Sequence, residues 1–131
     1  MKTLIVEDDF TSRLVLQGFL SPLGPTHIAV NGNEATDAVR SAYEQGEPYD
    51  LICLDILMPG KDGQQTLKDI RDNEEARGVS SSRGAKIVMT TSVGDMKSVL
   101  AAFKGLCDAY VTKPIDKAKL IGELRKLGLV T

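Results

Sequence analysis

The chain has 131 residues, of which 42% are hydrophobic, and it carries 16 basic and 18 acidic side chains. This length suits one domain that buries a core without disulfides or structural metal, and the composition argues against a disordered chain. No apolar run approaches the roughly 20 residues that span a membrane, and the charge is not basic enough for nucleic acid as the primary ligand. Because Met1 leads directly into a predicted strand without a leader-like segment, we expect a cytoplasmic protein.

Five short apolar runs predict β-strands, at residues 2–6, 26–30, 50–54, 86–91 and 108–112. Continuous runs such as Lys86-Ile87-Val88-Met89 are typical of parallel strands that are covered on both faces. Cys53 and Cys107 lie in or beside these runs without a C-x-x-C pattern, so we expect buried thiols with no redox role.

Helical periodicity predicts a helix after each strand. The first has an apolar face of Leu14, Val15, Gly18 and Phe19 and stops near Pro22. The second follows the cap Asn31-Gly32-Asn33 and turns Ala35, Ala38, Val39 and Ala42 inward. The third carries Leu67 and Ile70, and the fourth runs from the cap Asp95 to Gly105. The fifth begins at Asp116, buries Leu120, Ile121, Leu124 and Leu127, and ends at Gly128.

Strands that alternate with helices at this spacing predict one α/β domain over residues 1–131, with a parallel sheet and right-handed crossovers. The polar stretch from Asp72 to Gly84 is predicted to be a long surface excursion before strand 4. Charge is uneven, because residues 1–66 carry 4 basic and 10 acidic side chains and residues 67–131 carry 12 and 8. Solvated helix faces would account for this, and so would an acidic metal pocket with a basic part that faces a partner.

Charged side chains follow three of the predicted strands. Strand 1 leads into Glu7-Asp8-Asp9, strand 3 into Asp55, and strand 5 into Lys113-Pro114. Because the carboxyl ends of parallel strands meet at one edge of a sheet, these groups are expected to lie together. Crowded carboxylates are unfavourable unless a cation neutralises them. The pattern therefore indicates a site for a hard divalent cation and a phosphoryl group.

Mg²⁺ prefers about six oxygen ligands and keeps several waters. Asp8, Asp55 and the backbone carbonyl of Leu57 can each supply one oxygen, with Glu7 holding a coordinated water. Lys113 supplies a fixed positive charge for a phosphoryl group, and Thr91, at the end of strand 4, offers a hydroxyl to it. The implied chemistry is in-line attack on phosphorus by the Asp55 carboxylate.

The chain resembles the receiver domain of two-component response regulators. The resemblance rests on Glu7-Asp8, on Leu54-Asp55-Ile56-Leu57-Met58-Pro59-Gly60 followed by Asp62-Gly63, on Thr91-Ser92 and on Lys113-Pro114, in this order. It implies a flavodoxin-like fold, doubly wound with five helices around a five-stranded parallel sheet of order 2-1-3-4-5. It also implies a protein that is no enzyme beyond its own phosphorylation and dephosphorylation.

By this resemblance Asp55 is the phosphoacceptor, Asp8 the direct metal ligand and Lys113 the lysine that senses the phosphate, with Mg²⁺ required and Mn²⁺ substituting. Thr91 and Tyr110 are the implied switch pair, which would report to a surface of predicted helix 4, strand 5 and helix 5. The only histidine, His27, is predicted to have no role. The phosphodonor would therefore be a sensor histidine kinase or a histidine phosphotransfer protein.

In receivers, the residues two positions past the acceptor and two past the switch threonine flank the path of the water that hydrolyses the acyl phosphate. Here these positions are Leu57 and Val93, whose apolar side chains predict slow self-dephosphorylation.

Several alternatives differ from this interpretation in the residues they require. Asp8-Asp9 could form the acidic pair in place of Glu7-Asp8. A haloacid-dehalogenase-type phosphatase would need a second Asp where Leu57 stands, and a nucleotide-binding domain would need a Gly-rich turn where Glu7-Asp8-Asp9 stands. The separation of 36 residues between Asp55 and Thr91 is longer than receivers usually have. We expect a stand-alone receiver without an output domain. Two alternatives remain open, namely a phosphorelay intermediate and a receiver fragment of a longer transcriptional regulator.

Overall fold

The computed structural model describes residues 1–58, 60–80, 83–92 and 106–131. Its strands are β1 (Thr3–Val6), β2 (Thr26–Ala29), β3 (Leu51–Asp55), β4 (Lys86–Thr91) and β5 (Ala109–Thr112). They form one parallel sheet in the order β2-β1-β3-β4-β5. The predicted fold class is confirmed, and the strand ends differ from the prediction by one residue at most.

Four helices lie in the described part of the chain: α1 (Phe10–Leu20), α2 (Gly32–Glu44), α3 (Gly63–Ala76) and α4 (Lys117–Lys126), with a 3₁₀ turn at Ser21–Leu23. The last of them, α4, is the fifth predicted helix. The helix predicted from Asp95 to Gly105 lies outside the described residues.

The core consists of two apolar layers, one on each face of the sheet. Leu4 and Val6 of β1 pack in the layer under α2 and α3, whereas Ile5 packs in the layer under α1 and α4. Because successive side chains of a strand point to opposite faces, a strand covered on both sides is expected to be mostly apolar. All four residues of β1 are accordingly buried.

Each described α-helix begins with an Asx cap. The capping side chain accepts a hydrogen bond of 2.8–2.9 Å from the backbone N–H three residues further on. The caps are Asp9, Asn31, Asp62 and Asp116. Such caps satisfy backbone donors that have no partner in the first turn of a helix.

The apolar face predicted for the first helix is wrong at Leu14, Val15 and Gly18, whereas Phe19 is partly buried and packs against the core as predicted. Leu14 and Val15 are 52% and 37% exposed, whereas Leu16 and Leu20 are buried against the sheet. The apolar run from residue 14 to residue 16 is compatible with two rotational phases of the helix. The phase observed is the one in which Leu16 and Leu20, four residues apart, face the core together. The inward faces predicted for the second and fifth helices are confirmed by buried Ala35, Val39, Ala42, Leu120 and Leu124.

The prediction that Asp72–Gly84 is a surface excursion is wrong in its first part. Residues 72–76 continue α3, and Glu74 is only 1% exposed. Arg71 and Glu74 form a buried ion pair of 2.7 Å within the helix, and hydrogen bonds from Arg71 to Asp108 and from the Ala85 N–H to Glu74 tie its last turns to the segments before β4 and β5. Of the two thiols expected to be buried, Cys53 is buried and Cys107 is half-buried.

Candidate functional site

The predicted charged side chains converge at the carboxyl edge of the sheet. Glu7 directly follows β1, Asp55 is the last residue of β3, and Lys113 directly follows β5. Backbone hydrogen bonds extend the sheet past its assigned ends, since the Glu7 N–H donates to the Ala29 carbonyl at 3.0 Å and the Lys113 N–H to the Thr91 carbonyl at 2.7 Å. These bonds fix where the two charged residues leave the sheet.

We call Glu7, Asp8, Asp55 and Lys113 the acidic pocket. Three carboxylates meet in it. One oxygen from each acid lies within 4.8 Å of those of the other two. Glu7 is fully buried and Asp55 is 4% exposed, whereas Asp8 is exposed. The Lys113 Nζ lies 2.6 Å from Glu7 Oε1 and 3.4 Å from Asp55 Oδ2.

The charges in the pocket shift each other's ionisation. Burial, together with a hydrogen bond to Asp55, raises the pKa of Glu7 above its ordinary value, and the contact with Lys113 opposes this. Burial alone would lower the pKa of Lys113, but its contacts with Glu7 and Asp55 outweigh burial and raise that pKa. One ammonium faces three carboxylates, so the pocket keeps an excess of negative charge. Hard oxygen ligands with excess negative charge are the donor set that suits Mg²⁺.

The structure brings Glu7 and Asp8 to Asp55 and leaves Asp9 in another role. The Asp9 side chain caps α1 by accepting from the backbone N–H of Ser12, and this bond lowers the pKa of Asp9. The Asp9 N–H in turn lies 3.3 Å from Glu7 Oε2. This arrangement favours the pair Glu7-Asp8 over the alternative Asp8-Asp9.

Two residues that support the pocket were missed by the sequence analysis. Arg13 Nη1 donates to the backbone carbonyls of Glu7 and Asp8, at 3.2 and 3.0 Å, and so holds the turn after β1. Gly63 lies so close to Asp55 that a Cβ would stand 2.5 Å from the Asp55 carbonyl oxygen. The signal for Arg13 was its position one turn into a helix that begins beside the acids, and that for Gly63 was a glycine directly after a helix cap.

The other predicted site residues occupy the same edge or its flank. The Leu57 N–H lies 3.3 Å from Asp55 Oδ1, and the Leu57 side chain is 61% exposed. Thr91 is buried at the end of β4, and its hydroxyl donates to the Ser92 carbonyl at 3.1 Å. Tyr110 is 39% exposed on β5. Val93 lies outside the described residues.

His27 lies away from the pocket, on the edge strand β2. It pairs in register with Leu4, three residues before Glu7. Its Nδ1 lies 2.7 Å from the Tyr49 hydroxyl. The described geometry thus gives His27 a partner outside the acidic pocket.

A doubly wound parallel sheet with this acidic pocket at its carboxyl edge defines a receiver-type α/β domain. The family model of the response regulator receiver domain matches residues 3–125. The chain therefore belongs to the response regulator receiver domain family, whose members act in two-component phosphorelay signalling. None of the helices that the structure describes has the length and apolar character needed to cross a bilayer.

Among curated proteins the chain is similar to receivers in different settings. It is 30% identical over 120 residues to the chemotaxis protein CheY of Halobacterium salinarum, and the matched region covers 92% of this chain and 90% of that protein. It is 33% identical over 120 residues to the sensor histidine kinase GacS of Pseudomonas protegens, which covers 91% of this chain. The chain spans only 12% of that kinase and 48% of the transcriptional regulatory protein AruR of Pseudomonas aeruginosa.

Solved structures show the same fold. The receiver domain of a sensor histidine kinase of Pseudomonas aeruginosa PAO1, with a magnesium ion coordinated in its active site cleft, is 29% identical, with a TM-score of 0.73 over 97% of each chain. A two-component response regulator of Clostridium difficile is 27% identical, with a TM-score of 0.78 over 97% of this chain and 94% of that one.

Proposed function

We propose that Asp55 accepts a phosphoryl group from a phosphohistidine of a sensor histidine kinase or histidine phosphotransfer protein, in a reaction that requires Mg²⁺ and for which Mn²⁺ substitutes. The observation that carries this proposal is the position of the buried Asp55 carboxylate between two further acids and the Lys113 ammonium. The relative whose structure holds magnesium in its active site cleft supports the choice of metal.

The transfer is a displacement at phosphorus. An Asp55 oxygen forms a bond to phosphorus as the bond from phosphorus to the donor imidazole nitrogen breaks, and the imidazole leaves with its electron pair. Lys113, already within 3.4 Å of Asp55, neutralises charge on the equatorial phosphoryl oxygens. Asp8, Asp55 and the Leu57 carbonyl would hold the metal, with Glu7 holding one of its waters. When bound, Mg²⁺ supplies positive charge that offsets the acids and the incoming phosphoryl oxygens.

The chain then acts as a switch and not as an enzyme on other substrates. The Thr91 hydroxyl is proposed to turn from the Ser92 carbonyl to a phosphoryl oxygen, and Tyr110 to turn inward, which shifts a pre-existing two-state equilibrium. The proposed output surface comprises the helix predicted at residues 95–105, which lies outside the described residues, together with β5 and α4. A protein partner would bind there.

The experiment for the phosphoacceptor is labelling with acetyl phosphate, followed by intact mass. The wild type is expected to gain one phosphoryl unit in Mg²⁺ or Mn²⁺ and none in EDTA, and Asp55→Asn is expected to gain none. Asp72→Asn, at an exposed carboxylate that pairs with Lys68 on the same helix, is the matched control and should label like the wild type. Labelling that persists in Asp55→Asn or in EDTA would contradict the proposal.

The output surface is tested separately, by amide hydrogen exchange with and without beryllofluoride. Exchange is expected to change in β5 and α4. Changes confined to α1 and α2 would place the output elsewhere.

A role as phosphorelay intermediate is the second candidate, and the similarity to the GacS kinase favours it. Return of the phosphoryl group from Asp55 to a histidine phosphotransfer protein would distinguish it from a chemotaxis-type effector.

A further inference from the structure

The segment between β3 and α3 is anchored to two helices by one of its own residues, Lys61. Lys61 has a side chain only 15% exposed, and its Nζ lies 2.7 Å from the Thr36 hydroxyl on α2 and 2.5 Å from Asp69 Oδ2 on α3. We call Lys61, Thr36 and Asp69 the lysine clasp. A single ammonium thereby joins the segment after the phosphoacceptor to two helices that cover the sheet.

Residues of α2 and α3 pack closely against the segment at Lys61 and Asp62. A Cβ at Gly32, the first residue of α2, would lie 2.9 Å from both Cγ and the carbonyl oxygen of Lys61. On the other side, the Thr66 hydroxyl of α3 donates to the Asp62 carbonyl at 2.8 Å. The hydrogen bond from Lys61 lowers the pKa of Asp69, as is usual for a carboxylate paired with an ammonium.

The clasped segment also determines the surroundings of Asp55. The Gly63 N–H donates to the Ile56 carbonyl at 3.0 Å and closes the segment on itself, and the Leu57 N–H lies 3.3 Å from Asp55 Oδ1. The same segment carries the Leu57 carbonyl, one of the expected metal ligands. Movement of Ile56 and Leu57 would therefore displace a metal ligand and a contact of the acceptor carboxylate together.

We propose that Lys61 is a positioning residue for phosphoryl transfer, which holds Ile56 and Leu57 in the conformation that binds Mg²⁺ beside Asp55. This inference rests on the function proposed above. The Lys61–Asp69 pair is partly buried, with side chains 15% and 30% exposed. An ion pair withdrawn from water contributes little net stability compared with apolar groups of the same size, and its better-attested contribution is to select one arrangement. Replacement of Lys61 by an apolar side chain of similar length should therefore weaken metal binding more than it weakens the fold.

The experiment compares Lys61→Met with Lys68→Met. Lys68 also pairs with an aspartate, at 3.0 Å from Asp72 Oδ2, but its side chain is 63% exposed and this partner lies on its own helix, four residues away. Titration calorimetry with Mg²⁺ is expected to give a roughly three- to tenfold weaker Kd for Lys61→Met, the size of one lost positioning contact. Lys68→Met should bind Mg²⁺ like the wild type.

Two further measurements separate positioning from general stability. In metal-free Lys61→Met, the amides of Leu57 and Met58 should exchange faster than in the wild type, while the thermal midpoint stays close to that of Lys68→Met. Lys61→Arg, which keeps a charge able to reach Asp69, should recover part of the Mg²⁺ affinity. Because Asp69 acts through Lys61, adding Asp69→Asn to Lys61→Met should weaken binding no further.

Equal Mg²⁺ affinity in Lys61→Met and Lys68→Met would overturn the proposal. So would a lowered thermal midpoint in Lys61→Met without faster exchange at Leu57 and Met58, since that pattern marks a purely structural residue. If the wild type neither binds Mg²⁺ nor labels with acetyl phosphate, the proposed function fails and this inference fails with it. If the wild type binds Mg²⁺ and labels with acetyl phosphate, but the Lys61 variants bind Mg²⁺ as tightly as Lys68→Met does, this inference alone is wrong.

Discussion

The sheet carries two ion clusters, the acidic pocket at its carboxyl edge and a second cluster at its amino edge. They differ in how completely the protein supplies their charged groups with partners. The second cluster, which we call the basal network, consists of Arg71, Glu74 and Asp108. Arg71 donates four hydrogen bonds of 2.7–2.9 Å, to both carboxylates and to the backbone carbonyls of Leu106 and Ala85. This one guanidinium joins α3 to the segments that lead into β4 and β5.

The carboxylates of the basal network are also supplied with protein donors. Glu74 accepts from the Ala85 N–H at 2.8 Å and from the Tyr43 hydroxyl at 3.2 Å, and Asp108 accepts from the Ile87 N–H at 2.8 Å. In the acidic pocket, three carboxylates share one ammonium, and Glu7 and Asp55 each accept one longer backbone N–H contact of 3.3 Å. Buried charge therefore does not by itself indicate a ligand site, because perturbed groups also occur in structural networks. An excess of one sign, left for an added ion to neutralise, is the better indication.

The largest expected effect is the loss of stability when the basal network is broken. Arg71→Met leaves Glu74 and Asp108 without their cation, and breaking a buried ion pair from one side costs about 3–5 kcal/mol of unfolding free energy. Urea unfolding followed by circular dichroism measures this loss. Arg40→Met, at an exposed pair with Asp37, is the control and should cost less than about 1 kcal/mol. A loss for Arg71→Met no larger than the control would show that the network is not structural.

A smaller effect is expected from Mg²⁺ at the other edge. At Mg²⁺ concentrations near 100 times its Kd, the wild type should gain about 2.7 kcal/mol of stability relative to EDTA. Asp8→Asn removes an exposed carboxylate of the pocket, so its gain should fall below about 1 kcal/mol at the same concentration. In EDTA, this variant should be no less stable than the wild type, since one of three crowded charges is gone.

The control for this measurement is Asp72→Asn, which should keep the full gain. An equal Mg²⁺-dependent gain in Asp8→Asn and the wild type would place the metal away from these acids.

The sheet order and the acidic pocket could be predicted from sequence because both follow from strand ends. Apolar runs locate the strands, and parallel packing then brings the residues after them to one edge. Glu7, Asp55 and Lys113 therefore meet although they are far apart in the chain. Asp8 could be placed beside Asp55 for the same reason, since it follows the same strand.

The basal network and the lysine clasp could not be predicted in this way, because their partners depend on packing between elements. Arg71 reaches Asp108, 37 positions away, and Lys61 reaches Thr36, 25 positions away. On one helix, Arg71 and Glu74 look like an ordinary solvated pair. The one local signal was their spacing of three residues directly after buried Ile70, which places them near the core face. The buried face of α1 was predicted wrongly for a related reason. Its apolar run is compatible with two rotations of the helix about its axis, and only contact with the sheet selects between them.

The lifetime of the phosphorylated state is expected to respond to the side chains at two positions, Leu57 and Val93. The side chains of Leu57 and Val93 cannot hydrogen-bond an attacking water. One contact that positions the water contributes on the order of 1–3 kcal/mol, roughly a 5- to 150-fold effect on rate. Leu57→Asn combined with Val93→Glu should speed loss of the phosphoryl group without changing its Mg²⁺ dependence. Decay of the intact-mass shift after removal of acetyl phosphate measures this rate. Wild-type decay within seconds, or an unchanged rate in the double variant, would contradict the account.

The smallest expected effect tests the periphery of the basal network, at Tyr43. Burial, with the nearby charge of Glu74 adding to it, raises the pKa of Tyr43 from 10.0 to about 12. The unfolded chain therefore ionises first, so the stability that this tyrosine contributes is complete below pH 10 and is lost as the pH rises toward 12. The loss should be about 1 kcal/mol, allowing for solvent screening of a half-buried group.

Tyr43→Phe isolates this contribution, because it removes the ionisable hydroxyl and keeps the ring. Near neutral pH the variant should be less stable by roughly 0.5–1.5 kcal/mol, since the hydrogen bond to Glu74 is lost while the bond from the Ala85 N–H remains. Between pH 10 and 12 the wild type should approach the variant, because only the wild type has this hydroxyl to ionise. Urea unfolding of both proteins across this range measures the difference. A constant difference up to pH 12 would mean that Tyr43 does not sense the buried carboxylate, and the basal network would then end at Glu74.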